Sequence, residues 1–149
     1  MPAIELFETD ADRSRERTLA DAVAKHWGRD LFGLPRNHAL DYAFTEKGTK
    51  DISFFVEIRT KNLPFGAVPD VYCRLSKLNM ARLVNEYGLQ TLFVVRWSCG
   101  TIGYTKLLTP DNFLMAGRSK TNQRNEEDFE PLAIFNNDRF TKLKIQVEL

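Results

Sequence analysis

The chain has 149 residues, 43% of them hydrophobic and 28% charged, which suits one globular domain over residues 1–149 with a core of ordinary size. Its formal net charge is only +1, so nothing global declares a nucleic-acid partner, and such a site has to be a local patch. No apolar run is long enough to span a bilayer, and Met1-Pro2-Ala3-Ile4-Glu5 lacks the charged start and apolar body of a signal peptide; a cytoplasmic location without a membrane partner is expected. Cys73 and Cys99 are single and far apart, as are His26 and His38, which indicates neither a zinc site nor a disulfide framework.

In chain order, the first element reads as a helix. Thr9 or Asp10 can cap it, Leu19, Val23 and Trp27 share a face with Ala20 and Ala24 beside them, and Gly28 stops it. Residues 29–38 contain Gly33 and Pro35 and read as a loop. That loop feeds an apolar segment over 40–44, which Asp41 opens. A polar, glycine-containing turn over 46–51 then leads into a second strand over 54–61. Alternation sends Phe54, Val56 and Ile58 to one face of this strand, and Phe55, Glu57, Arg59 and Lys61 to the other.

The hairpin brings Asp41 towards Glu57. Two close carboxylates repel and are costly to bury, but a divalent cation reverses that cost, because hard oxygen ligands suit Mg²⁺. A surface hairpin with an ordinary cross-strand ion pair accounts for the same residues equally well.

Residues 62–70, with two prolines, read as a further loop. A second helix over 74–87 is ended by Gly88; Leu75, Leu78, Ala81, Val84 and Tyr87 recur at helical spacing and should face a sheet, Leu83 widening the stripe. Residues 90–97 are almost continuously apolar, as in a strand buried on both faces. Strand, helix, then buried strand implies a crossover and a parallel pair. An alternating strand over 101–107 should pair antiparallel with it. Beyond Pro110, residues 111–115 suggest one helical turn. Residues 116–128 read as a polar loop in which Arg118, Lys120 and Arg124 precede Glu126, Glu127 and Asp128; mixed charge favours the expectation of a self-neutralising surface loop over a flap that grips DNA. Strands are expected over 131–135 and 142–148.

An Asp at the start of one strand, a turn, then an apolar strand carrying Glu57-Ile58-Arg59 resembles the PD-(D/E)xK nuclease superfamily. Its restriction-endonuclease-like fold includes Holliday-junction resolvases and many small phage nucleases. The order helix, strand, strand, helix, strand spans residues 10–97 and strengthens the resemblance. It implies an α/β domain with a mixed central sheet flanked by helices, acting as a metal-dependent endonuclease that hydrolyses phosphodiester bonds of DNA in the host cytoplasm if viral.

Asp41 and Glu57, with the Ile58 carbonyl and Glu16 of the first helix, would hold Mg²⁺ or Mn²⁺, Asp21 standing as the alternative to Glu16. The family's lysine position is Arg59 here, and arginine is not a conservative replacement; Lys61, two residues on and on the same face, can supply the ammonium instead. Lys77 and Arg82 of the second helix would face DNA, Lys77 on a phosphate. Resolvase-like relatives are commonly dimers, which makes a homodimer one option. Arg59 keeps two other readings open: a non-catalytic nucleic-acid-binding module of the same fold, and a structural or partner-binding α/β protein in which Asp41, Glu57 and Arg59 form a buried ion network.

Overall fold

Alternation along the second strand of the hairpin divides the molecule into two layers. The structure is a computed structural model, and it describes residues 10–117 and 129–149. In chain order the elements are α1 (Asp10–His26), β1 (Arg29–Gly33), β2 (Tyr42–Glu46), β3 (Ile52–Lys61), β4 (Asp70–Arg74), α2 (Leu75–Glu86), β5 (Gln90–Trp97), β6 (Ile102–Lys106), β7 (Asn112–Gly117), β8 (Phe129–Asn136) and β9 (Thr141–Leu143). A six-stranded sheet runs β1-β2-β3-β5-β6-β9, and a three-stranded one runs β4-β8-β7. The hairpin β2–β3 is antiparallel, β3 and β5 are parallel, and β5–β6 is antiparallel. This is the expected mixed sheet flanked by helices.

On one face, Leu19, Ala20, Val23 and Ala24 of α1 pack on Phe44, Val56, Ile58, Val94 and Ile102. Trp27 closes this layer with edge contacts to Phe44, Phe54 and Tyr104. On the other face, Phe55, Phe93, Val95 and Trp97 meet Leu78 and Ala81 of α2 and Val71, Cys73, Ala133 and Phe135 of the small sheet. Helix α2 ends in a Schellman motif: Gly88, at φ +86°, donates its N–H to the Asn85 carbonyl, and Leu89 donates to that of Val84. Only glycine takes that backbone conformation without strain.

The structure corrects several expectations. Residues 29–33 are not loop but the edge strand β1, whose charged Arg29 and Asp30 hide the alternation. The second helix starts one residue late, because Asp70–Arg74 is a strand that pairs with the distant β8. Residues 112–117 form β7, not a helical turn, since β8 offers them a ladder. Only Thr141–Leu143 of the final segment pairs as a strand; Ile145 and Val147 beyond it pack against the α1 layer without a ladder. Tyr87 lies past the end of α2 and is 80% exposed instead of facing the sheet, and Leu83 is exposed as well. The proposed cap Thr9 and the charged segment 118–128, with Arg118, Lys120, Arg124, Glu126, Glu127 and Asp128, lie outside the described residues. Among those described, no helix is long and apolar enough to cross a membrane.

Candidate active site

The antiparallel register Tyr42↔Val56 sets Asp41, just before β2, across from Glu57. Backbone geometry fixes the first carboxylate: Asp41 Oδ2 accepts the Ile58 N–H at 3.2 Å, and the Asp41 carbonyl accepts from Leu34. Glu57 sits between β2 and β5 in the middle of the sheet and is 5% exposed. So the hairpin that alternation implies brings the two carboxylates to one point.

The group between them is Lys77, in the first turn of α2. Its Nζ lies 2.7 Å from Glu57 Oε2 and 3.4 Å from Asp41 Oδ1, and it donates to the Ala39 carbonyl at 3.0 Å. These three acceptors match the three protons of an ammonium. Burial pulls the Lys77 pKa down, but the charges of Glu57 and Asp41 outweigh it and hold the pKa above the ordinary lysine value, so the group stays cationic. Burial and the Asp41 charge push the Glu57 carboxyl well above its usual range, with Lys77 opposing. The other oxygen, Glu57 Oε1, is buried without a hydrogen-bond partner. Leaving such an acceptor unsatisfied costs roughly 1–3 kcal/mol. Cys73 lies close enough to feel the same charges; burial first, then Glu57, pushes its thiol up to about 12.

The remaining predicted residues stand elsewhere. The Arg59 guanidinium carbon lies 4.0 Å from the centre of the Tyr72 ring, a cation–π contact that turns it towards β4. Lys61 is about 13 Å further along the strand than Glu57 and donates to the Asp70 carbonyl at 2.8 Å. Arg82 is exposed on α2, and Asp21 is exposed and pairs with Arg17 at 3.6 Å. Helix α1 covers the opposite sheet face from Glu57, yet Glu16 lines a cleft that it shares with Asp41 and Tyr42. Tyr42 is raised to about 12 by burial and by Asp41 and Glu16, so its hydroxyl stays protonated beside the carboxylates. His38 stacks on Phe55, and its Nδ1 accepts the Leu40 N–H.

Two carboxylates on opposed strands, one with an orphaned buried oxygen, form a hard-oxygen donor set that fits a divalent cation. Among the described residues no group of three or more His, Cys, Asp and Glu is arranged so that it could hold a metal ion. The place of Lys77 between the carboxylates is the feature that sequence reasoning missed. A signal existed: a strand-buried Glu needs a counter-charge, and α2 carries only Lys77 and Arg82 as cations.

A family described as phage putative PDDEXK endonuclease has a model that matches residues 3–143. The chain is also similar to Hjc, a Holliday junction resolvase of the archaeal hyperthermophile Archaeoglobus fulgidus, at 8% identity and a TM-score of 0.42, over 78% of this chain and 86% of that one. No curated protein matches it.

Proposed function

Because the chain belongs to the family of phage putative PDDEXK endonucleases, we propose that it is a divalent-metal-dependent endonuclease of DNA whose centre is Asp41, Glu57 and Lys77. The observation that carries this reading is the Lys77 ammonium 2.7 Å from a strand-buried glutamate whose second oxygen has no partner. Asp41 and Glu57 would hold Mg²⁺ or Mn²⁺, with the Ile58 carbonyl and Glu16 as further oxygens. A cation bound there supplies Lewis-acid activation of water and neutralises charge at the scissile phosphate.

The chain's own groups divide the remaining tasks. Asp41 is oriented by the Ile58 N–H, which fixes its carboxylate without the entropy cost of a free side chain. Lys77 stays protonated and provides fixed positive charge where negative charge grows on a phosphate oxygen. It takes the role that Arg59, held over Tyr72, does not fill. The same ammonium keeps Glu57 from being an uncompensated buried charge before a cation arrives.

The test is cleavage of labelled single-stranded, duplex and branched DNA while Mg²⁺ or Mn²⁺ is titrated, with Glu57→Gln purified alongside. Cleavage by the wild type alone supports the assignment. Binding that ignores the metal and leaves the DNA intact points instead to a non-catalytic module. Absence of both binding and any metal-induced rise in melting temperature returns the ion network to a structural role.

A further inference from the structure

The carboxylate centre opens on one side into a cleft of about 650 Å³, between α1 and the connection from β1 to β2, and Asp41 forms part of its wall. Arg13, Arg17 and Arg36 line it, against Glu16 and Asp41 as the acidic groups. Three arginines thus face two carboxylates in the lining, and Lys77, paired more closely with Glu57 at 2.7 Å, also lies 3.4 Å from Asp41. Guanidinium forks match phosphate oxygens in pairs, where an ammonium acts as a point charge.

One of these arginines reaches from α1 to the end of β1. Its Nη1 lies 3.1 Å from where a Cβ on Gly33 would sit, so the bare backbone of Gly33 leaves the space that the Arg17 guanidinium occupies. The same guanidinium stands 6.0 Å from the centre of the Tyr42 ring. Its ion pair with Asp21 is long and on the surface, at 3.6 Å, and holds it weakly. On the opposite side of the centre Lys77 is committed to three acceptors, which leaves Arg82 as the other cation of α2.

We propose that the cleft between α1 and the β1–β2 connection carries the sugar–phosphate backbone of the strand to be cut, with Arg17 and Arg36 on its phosphates and Asp41 at its inner end. This rests on the nuclease reading above and gives it a substrate path. Arg17 is a phosphate clamp for which Gly33 leaves room, and Arg36 lines the same cleft from the connecting loop. A backbone gripped this way is read without regard to sequence, since phosphate contacts position and do not specify.

Anisotropy of labelled single-stranded and branched DNA, measured across a range of KCl with Ca²⁺ in place of Mg²⁺, tests the path. Arg17→Ala and Arg36→Ala should each weaken binding several-fold and flatten the slope of log K against log[KCl] by about 0.7–0.9, more than Arg82→Ala does. Arg17→Lys should keep the slope and still lose affinity, because the charge stays and the fork goes. Both arginines are exposed, and unchanged melting temperatures confirm folded variants. A flattened slope in Arg82→Ala with none in the cleft variants moves the strand to α2 and overturns the proposal. A wild type that cuts DNA while both cleft variants keep its slope overturns the path alone and leaves the nuclease standing. A wild type that neither binds nor cuts brings down both.

Discussion

The two faces of β3 share one backbone and bury different things. Towards α1, Val56 and Ile58 meet Leu19 and Val23 in an apolar layer, and the half-buried Arg96 of β5 on the same face donates to the Val147 carbonyl. Towards α2, Glu57 is 5% exposed, against 3% for Ile58 on the other side. Taking a carboxylate to that depth costs several kcal/mol, and a well-packed apolar residue there would be neutral or stabilising. The α1 face therefore follows the rule that holds the domain together, whereas the α2 face departs from it and needs Lys77 to be tolerable. The difference teaches where to look for function: the sheet keeps a charge pair on the face that could have been apolar.

This contrast breaks most visibly in cleavage rate. Asp41→Asn and Glu57→Gln should each lower metal-dependent cleavage by on the order of 10³-fold or more, as loss of a directly acting group does; Glu57→Gln should also lower the melting temperature, because it takes from the Lys77 ammonium its nearest counter-charge. Single-turnover cleavage at saturating Mg²⁺ checks this, and a wild-type rate in Glu57→Gln would erase the distinction between the faces. The converse change lies on the α1 face. Phe44→Ala, at a fully buried ring, should cost about 3–5 kcal/mol of stability and leave the rate per folded molecule unaltered. Urea melts with parallel assays separate the two effects.

Much of this was legible in the sequence because its signals are local. Period-two alternation in 54–61 predicts which side chains join Glu57, and the turn over 46–51 predicts that Asp41 comes opposite. The apolar run over 90–97 and the helix before it imply the parallel pair with β3. The rest depends on partners that no local pattern names. Strands β4 and β7 exist because β8 pairs with both, and Asp70–Arg74 read alone is five residues with little alternation. Lys77 looked like a helix-surface cation suited to DNA; its meeting with Glu57 requires the docking angle of α2, which spacing does not contain. The cleft likewise depends on Arg17, Gly33 and Tyr42 coming together from three elements.

A smaller effect sharpens the contrast within the α2 face itself. If the ammonium has moved from the strand to the helix, Lys77→Met should lower cleavage by roughly 10²-fold, a loss typical of one charge-stabilising donor. Arg59→Ala should leave the rate per folded molecule nearly unchanged and cost about 0.5–2 kcal/mol of stability through the lost contact with Tyr72. Arg59→Lys should give no gain. Rates that fall more for Arg59→Ala than for Lys77→Met would restore the strand position as the working one.

The smallest effect distinguishes the buried face from the surface by thiol chemistry. Cys73 is buried under the charge pair, and burial with the Glu57 charge raises its thiol to about 12. Cys99 is exposed, and hydrogen bonds from the Phe65 N–H and with Thr101 lower its thiol to about 7. A lowered pKa means that the thiolate, the reactive form, persists down to that pH and is lost below it. Iodoacetamide should therefore modify Cys99 at a rate that levels off above about pH 7 and falls as the pH drops further, while Cys73 stays unmodified throughout, as peptide mass mapping would show. Labelling of Cys73 in the folded protein near neutral pH would mean that water reaches the α2 face freely, and that Glu57 is solvated instead of held by Lys77.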